Sequence, residues 1–230
     1  QYHAIRAGSK INEIRKKRKR IWGEPKSIKD ISNVFVSFCK GDINSLPWCE
    51  TKLATESKHI SKELVNLNKA GCFTINSQPN VNGVSSVDPN FGWGSEGGMV
   101  YQKAYLEFFT SKKKLDTIIE KIKSNKNISY QAINKSGDII SNVKRDNVNV
   151  VTWGVFPAEK IKQPTIVDAR SFMIWKDEAF SLWINDWASI YEKDSISYSI
   201  INNIYENYFL VNIVDNDFIS SNMIKQLLEK

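Results

Sequence analysis

Apolar residues along the chain follow two kinds of spacing, which together predict a mixture of helices and strands. Ile60, Leu64 and Leu67 recur every three or four residues and stop before Gly71, so a helix is predicted within residues 54–70. Further helices are predicted at residues 9–22, 172–191, 196–207 and 221–229, and another carries Leu115, Ile118, Ile119 and Ile122 on one face.

Short runs rich in β-branched and aromatic residues predict the strands. Residues 130–133 and 139–140 flank a turn sequence at residues 134–138, which favours a β-hairpin. The other predicted strands are residues 34–38, 72–75, 100–109, 148–156 and 208–214. Because helices and strands are mixed without strict β-α-β alternation, the predicted fold class is α+β with mixed sheets.

The composition fits an intracellular globular protein. The chain has 230 residues of which 41% are hydrophobic, enough for one large domain or two small ones. Its apolar runs are far shorter than the roughly 20 residues of a membrane span, so no membrane partner is predicted. Three cysteines without tight spacing argue against a disulfide framework and favour the cytoplasm, and two histidines are too few for an evident metal site.

The positive charge of the chain is concentrated in one place. The net charge is +7, and six consecutive cations occupy residues 15–20, so removing them leaves +1. We therefore predict that residues 1–24 form a basic helical tether or linker in front of a domain at residues 25–230. A localisation signal or an anionic partner is the alternative, although nucleic-acid binding is unlikely without a domain-wide basic surface.

A glycine-rich segment at residues 75–98 contains the letters G-x-G-x-x-G between Gly92 and Gly97. A phosphate-binding loop of that type follows a strand directly and opens a helix. Here the glycines follow a turn-rich stretch and precede a predicted strand, and no Lys-Ser or Lys-Thr pair follows them. We predict instead a tightly wrapped loop that packs Trp93 onto the sheet.

Several long strings in this segment and beyond resemble a known family. INSQPNVNG, GWG and QKAYLEFFTS are followed in order by VTWGVFP, QPTIVD, SFMIWKDEAF and NYFLVNIVDNDF. Together they resemble the C-terminal regulatory domain of eukaryotic methylenetetrahydrofolate reductase, from about Trp22 to the C-terminus. The resemblance rests on many strings and not on one short motif.

The resemblance implies a fold and a function. The fold is two mixed β-sheets side by side, flanked by helices. The domain binds S-adenosylmethionine, which inhibits the reductase, and S-adenosylhomocysteine competes for the same site. It also forms the homodimer. FAD and NAD(P)H bind a catalytic (β/α)8 barrel for which these 230 residues have no room. The chain alone is therefore expected to have no catalytic residues and no reductase activity.

The resemblance also implies the ligand-binding residues. Glu56 is the only anion among them and suits a cationic group of the ligand. The hydroxyl residues both donate and accept hydrogen bonds, which suits the carboxylate, the ribose and the adenine. Carried over string by string, the predicted S-adenosylmethionine site is Cys49, Ala54, Thr55, Glu56, Ser57, Thr74, Ser77, Thr152 and Thr165.

One departure from the family keeps a second function open. Cys49 stands where the family usually has asparagine, and a thiol is only a weak hydrogen-bond partner. The alternative is therefore a dimerisation scaffold of the same enzyme that has lost ligand binding. An independent methyltransferase is disfavoured, because the glycine-rich strand-to-helix loop expected of that enzyme is missing. The linker before Trp22 also departs from the family, because it lacks the usual aromatic and glycine residues.

Overall fold

We analysed a computed structural model of the chain, which describes residues 8–92, 98–142, 152–157, 170–171, 177–216 and 222–228. Helices and antiparallel sheets are combined in this structure, which confirms the predicted α+β class. The largest sheet has five strands, and helices pack against it. A second sheet has four described strands, and a two-strand ribbon completes the set.

Most of the helices lie where the apolar spacing predicted them. Their bounds are Gly8–Trp22 (α1), Ile28–Lys40 (α2), Ser61–Lys69 (α3), Lys112–Ile122 (α4), Asp177–Ala188 (α5), Ile196–Asn207 (α6) and Asn222–Leu228 (α7), with a 3-10 helix at Glu56–Ile60. The bounds of α6 match the prediction, whereas residues 172–176 of the helix predicted at residues 172–191 lie outside the described residues.

The strands form three sheets, and all their described pairings are antiparallel. The strands are Ser45–Leu46 (β1), Cys49–Glu50 (β2), Phe73–Gln78 (β3), Val81–Ser85 (β4), Gly98–Gln102 (β5), Tyr105–Ser111 (β6), Ile128–Ile133 (β7), Ile139–Ser141 (β8), Thr152–Pro157 (β9), Arg170–Ser171 (β10) and Tyr208–Asp215 (β11). The order is β3-β6-β11-β7-β8 in the large sheet and β10-β9-β5-β4 in the second. The described parts of both sheets are thus antiparallel and not mixed.

The predicted strand at residues 34–38 is wrong, because these residues belong to α2. Ser27 caps this helix, accepting a hydrogen bond from the main-chain N–H of Asp30 over 3.1 Å. Gly41 ends it with a φ of 84°, a conformation that favours glycine. Caps and a buried helical face therefore override the strand propensity of the valine and phenylalanine run. The buried apolar side chains of that face are Ile31, Phe35, Val36, Phe38 and Cys39.

The predicted strand at residues 100–109 is two strands in different sheets. The chain crosses from the second sheet to the large sheet at Lys103 and Ala104, between β5 and β6. The segment that pairs with it, β3 followed by β4, crosses in the opposite direction at Pro79 and Asn80. The two sheets therefore lie side by side along one continuous antiparallel ribbon.

Two glutamines hold this crossing ribbon together. The Nε2 of Gln78 donates to the carbonyl of Lys103 over 2.6 Å. The Nε2 of Gln102, which is buried, donates to the carbonyl of Pro79 over 2.8 Å. Each segment thus supplies a side-chain amide to the crossing point of the other. These amides provide hydrogen-bond donors for the main-chain carbonyl groups of Lys103 and Pro79, which lie between the strands.

Helix α1 packs against the rest of the domain through Trp22. This side chain is 1% exposed and lies edge-on to Phe35 and Trp187, at ring distances of 4.9 and 5.8 Å. The helix predicted for residues 9–22 is confirmed. The division at residue 25 stays a prediction, but Trp22 belongs to the same hydrophobic cluster as the sheet residues.

Three cations of the basic run form ion pairs within the chain. Lys17 lies 2.8 Å from Glu50, and Arg18 lies 3.7 Å from Asp186 on α5. Lys19 lies 3.0 Å from Glu24. The pair of Lys17 with Glu50 is exposed and worth little in stability, whereas Arg18 is largely buried. The three pairs account for half of the run through acidic residues of this same chain. This arrangement favours the interpretation of residues 15–20 as a solvated helix.

Candidate ligand site

Glu56, Ser57 and Ser77 meet where the 3-10 helix packs on the end of β3. Ser57 is buried, and its hydroxyl donates to the main-chain carbonyl of Ser77 over 2.8 Å. The hydroxyl of Ser77 donates to Oγ of Ser57 over 3.1 Å. Glu56 starts the 3-10 helix, is half-buried, and forms no ion pair with the described side chains. Two predicted residues are therefore joined by hydrogen bonds, and a third, Glu56, is the chain neighbour of Ser57.

Thr74 lies on the same face of the large sheet as Ser77 because β3 contains a bulge. Thr74 pairs with Phe108 and Ser77 pairs with Leu106, and the register shifts between Thr74 and Asn76. Residues two apart on a strand point to the same side, so the two partners on β6 share a face. In an unbulged strand, residues three apart would point to opposite faces.

The hydroxyl of Thr74 is bonded to Asn68 of α3. Thr74 is 5% exposed, and its Oγ1 accepts from Nδ2 of Asn68 over 2.8 Å. Its main-chain N–H donates to Oδ1 of the same side chain over 3.1 Å. Sequence analysis missed Asn68. The available signal was a polar residue next to Leu64 and Leu67 on the apolar face of a helix.

Cys49 lies in β2, close to α1 and α5. It is half-buried, and burial raises the pKa of its thiol, although the positive charge of Arg18 opposes this shift. The group is therefore a neutral thiol at pH 7, which is a weak hydrogen-bond partner. No hydrogen bond among the described residues joins Cys49 to the other predicted site residues.

Ala54 and Thr55 lie directly before the 3-10 helix, and both are exposed. Their carbonyl groups accept hydrogen bonds from the main-chain N–H of Lys58, each over 3.2 Å. These two residues therefore form the turn that presents Glu56 and Ser57. Ala54 contributes only main-chain groups to any ligand contact.

Thr152 is placed at the junction of the two sheets. It begins β9, and the next residue, Trp153, pairs with Gln102 at the end of β5. On the other side, Gln102 pairs with Val81 of β4, so the strands that flank β5 are about 10 Å apart. Thr165 lies outside the described residues.

The loop at residues 86–92 packs against the 3-10 helix of the candidate site. The ring of Phe91 stacks on His59 at a centroid distance of 4.4 Å. Oδ1 of Asp88 accepts from the main-chain N–H groups of Asn90 and Phe91, both over 2.8 Å. Residues 86–92 of the glycine-rich segment thus form a wrapped turn, as predicted, whereas its earlier part belongs to β3 and β4. Trp93 lies outside the described residues.

Gly92 closes this turn through a close approach of main-chain atoms. Its N–H donates to the carbonyl of Asp88 over 2.8 Å. A Cβ at this position would lie 2.3 Å from that carbonyl oxygen and 2.4 Å from the carbonyl oxygen of Ser86. The glycine is therefore required because main-chain atoms occupy the space of a side chain.

Other kinds of site find no support in the parts of the chain that the structure describes. No group of three or more histidine, cysteine, aspartate or glutamate side chains there is arranged to bind a metal ion. Within those same parts, every helix is too short or too polar to cross a bilayer. Burial raises the pKa of the Cys39 and Cys72 thiols to about 11, so neither is a reactive thiolate at pH 7.

The known proteins to which the chain is similar include several methylenetetrahydrofolate reductases. Methylenetetrahydrofolate reductase (NADH) 1 of Zea mays is 49% identical over 210 residues, which cover 90% of this chain and 35% of the maize protein. The Arabidopsis thaliana protein with the same name is 48% identical, with 90% and 36% covered. Methylenetetrahydrofolate reductase 2 of Saccharomyces cerevisiae is 42% identical over 204 residues, which cover 87% of this chain.

These relatives are much longer than the chain, which spans about a third of their length. The sequence model of a regulatory-domain family matches residues 2–230, nearly the whole chain. That match, the relatives and the α+β fold agree with the resemblance of the strings around the candidate site. The chain therefore belongs to the family of S-adenosylmethionine-binding regulatory domains of methylenetetrahydrofolate reductase.

Proposed function

We propose that this domain binds S-adenosylmethionine at the junction of its two sheets and thereby inhibits the reductase to which it belongs. The observation that carries the proposal is the family match over residues 2–230, combined with the hydrogen-bonded pair of Ser57 and Ser77 and the neighbouring Glu56. Glu56 offers a negative charge for the ammonium or the sulfonium of the ligand. Ser77 and Thr74 offer neutral hydrogen-bonding groups nearby on one sheet face.

The chemistry of the reductase belongs, in this proposal, to a catalytic barrel outside these 230 residues. That barrel binds FAD and transfers hydride from NAD(P)H to methylenetetrahydrofolate. The relatives from maize and Arabidopsis carry NADH in their names, and that from Caenorhabditis elegans carries NADPH. The regulatory domain supplies no catalytic residue. It works in the cytoplasm, with S-adenosylhomocysteine as a competing ligand.

Binding is tested by thermal unfolding of the chain with and without S-adenosylmethionine. Ligand at about 100 times its dissociation constant stabilises the folded state by about 2.7 kcal/mol, which corresponds to a rise of about 5–10 °C in melting temperature. Glu56→Gln keeps the shape and removes the charge, so we expect it to abolish most of the rise. Glu63→Gln, on the neighbouring helix α3, removes the same charge outside the proposed site and serves as the control.

The response of S-adenosylhomocysteine identifies the group that Glu56 faces, because this ligand lacks the sulfonium charge. If Glu56 faces the sulfonium, Glu56→Gln weakens only S-adenosylmethionine. If Glu56 faces the ammonium, the substitution weakens both ligands equally. The absence of any shift at millimolar S-adenosylmethionine in the unmodified chain would rule out the sensor. That result would leave the dimerisation scaffold, which the weak thiol of Cys49 favours.

The domain also forms a homodimer in this proposal. Described aromatic side chains of the C-terminal third, such as Phe180 and Trp187, are buried within one chain. The support is therefore the family resemblance together with two exposed apolar side chains, Leu182 on α5 and Ile196 on α6. We expect light scattering at micromolar concentration to give twice the mass of one chain. A monomer mass of 26.3 kDa would contradict the dimer.

A further inference from the structure

Asn68 is a fully buried polar residue that links α3 to the strand of the candidate site. Its Nδ2 donates to the carbonyl of Leu64 and to Oγ1 of Thr74, both over 2.8 Å. Its Oδ1 accepts from the main-chain N–H of Thr74 over 3.1 Å. The side chain therefore binds both the main chain and the hydroxyl of one predicted ligand-binding residue.

The orientation of this amide is fixed by groups that have only one hydrogen-bonding role. The main-chain N–H of Thr74 can only donate, so the atom that faces it is Oδ1. The carbonyl of Leu64 can only accept, so the atom that faces it is Nδ2. Two independent partners thus exclude the flipped amide. It follows that Asn68 presents an N–H, and not an oxygen, to the hydroxyl of Thr74.

The hydroxyl of Thr74 consequently keeps its own hydrogen for another partner. Its oxygen accepts from Asn68, and its remaining neighbour among the described side chains is Sγ of Cys39, at 3.7 Å. That sulfur also lies 3.4 Å from Nδ2 of Asn68, and sulfur is a weak acceptor. Thr74, which is buried as a residue, therefore has a hydroxyl hydrogen without a strong acceptor in the described part of the domain.

Ser57 and Ser77 have the opposite hydrogen-bonding role to Thr74, because both of their hydroxyl hydrogens are already donated within the pair. Ser57 uses its hydrogen on the carbonyl of Ser77, and Ser77 uses its hydrogen on Oγ of Ser57. Ser77 can therefore offer a ligand only the lone pairs of its oxygen. Ser77 therefore acts toward a ligand as an acceptor, whereas Thr74 acts as a donor.

We infer that Asn68 is a positioning residue of the ligand site, which fixes the hydroxyl of Thr74 as a donor toward an acceptor atom of the ligand. This inference rests on the proposed function. The acceptor is either a carboxylate oxygen or an atom of the nucleoside, such as a ring nitrogen of adenine or a ribose oxygen. A ligand with a donor at this position is rejected, because two donors would face each other.

The first test compares two substitutions of Asn68 by calorimetric titration with S-adenosylmethionine. Both Asn68→Ala and Asn68→Asp remove the Nδ2 donor, but only aspartate offers an oxygen that draws the hydroxyl hydrogen of Thr74 inward. We expect alanine to weaken binding about tenfold and aspartate to weaken it about tenfold more. Equal affinities for the two variants would overturn the inference. Urea unfolding of each variant confirms that the folded state is being titrated.

The second test is a double-mutant cycle with Thr74→Val, which removes the hydroxyl and keeps the shape. We expect Thr74→Val to weaken binding about tenfold and Thr74→Ser, which keeps the hydroxyl, to stay within about threefold of the unmodified chain. If Asn68 acts through Thr74, adding Asn68→Ala to Thr74→Val weakens binding no further. Additive losses would show a purely structural role and overturn the inference.

The outcomes separate this inference from the proposed function. If the unmodified chain does not bind S-adenosylmethionine, the proposed function itself is wrong. If it binds and Thr74→Val binds equally well, only the inference is wrong, and this comparison holds even if the Asn68 variants do not fold. Methylthioadenosine, which has the nucleoside but no carboxylate, locates the acceptor. A loss that persists with this probe places the acceptor on the nucleoside, and a loss that disappears places it on the carboxylate.

Discussion

Replacing Trp22 by alanine is expected to destabilise the folded domain by about 3–5 kcal/mol. The indole is 1% exposed and packs edge-on against Phe35 and Trp187, so its removal leaves a large cavity between α1, α2 and α5. The free energy of unfolding of an ordinary domain is only about 5–15 kcal/mol, so this loss is a large fraction of it. Urea unfolding measures the change directly, and a lower melting temperature should accompany it.

Two further substitutions identify the cause of that loss. Trp22→Phe keeps an aromatic ring and removes an indole N–H that has no hydrogen-bond partner among the described residues, so it should be clearly milder. Arg20→Ala changes an exposed residue of the same helix and should stay within about 0.5 kcal/mol of the unmodified chain. If Trp22→Ala were as mild as Arg20→Ala, helix α1 would not be part of the folded core.

Replacing Gly92 by alanine should destabilise the domain by about 3 kcal/mol or more, because main-chain atoms already occupy the position of the new Cβ. The carbonyl oxygens of Asp88 and Ser86 lie 2.3 and 2.4 Å from that position, and neither can move without opening the turn. Opening the turn breaks the hydrogen bond from Gly92 to Asp88. Thermal or urea unfolding measures the loss.

Gly41→Ala is the matched control for this substitution. Gly41 has a φ of 84°, but nothing lies within 4 Å of a Cβ added there. Its substitution therefore carries only the strain of the left-handed conformation, about 1–2 kcal/mol. A loss at Gly92 no larger than that at Gly41 would mean that the turn opens easily in solution. The stacking of Phe91 on His59 would then contribute little to the candidate site.

The sequence predicted those elements whose local signals agree with their packing. Helix α6 has Ser195 as an N-cap, and its hydroxyl accepts from the N–H of Tyr198 over 3.1 Å. The strand β11 follows it as a mostly apolar run that is interrupted at Asn212. In α2, by contrast, the valines and phenylalanines favour a strand locally, whereas the caps and the buried face favour a helix. The sequence alone does not show whether the strand propensity or the helix caps and apolar face will decide the structure.

The candidate site shows the same limit at the level of single side chains. The family strings located Ser57 and Ser77, which the structure joins by hydrogen bonds, and Glu56, which precedes Ser57 in the 3-10 helix. They did not predict that Thr74 and Ser77 share a face, because that depends on a bulge in β3 without a clear sequence signal. Nor did they include Asn68, whose role depends on the approach of α3 to the strand.

The reciprocal hydrogen bonds of Gln78 and Gln102 at the crossing ribbon fix the register of the strands that pair there. Both strands of one edge carry a bulge close to the crossing, between Thr74 and Asn76 on one side and between Asn82 and Val84 on the other. Each bulge inserts one extra residue and so shifts the register of its own sheet by one position. A shift of one strand by one residue would break both glutamine hydrogen bonds at once. The register of the strands in the two sheets is therefore set together at the crossing.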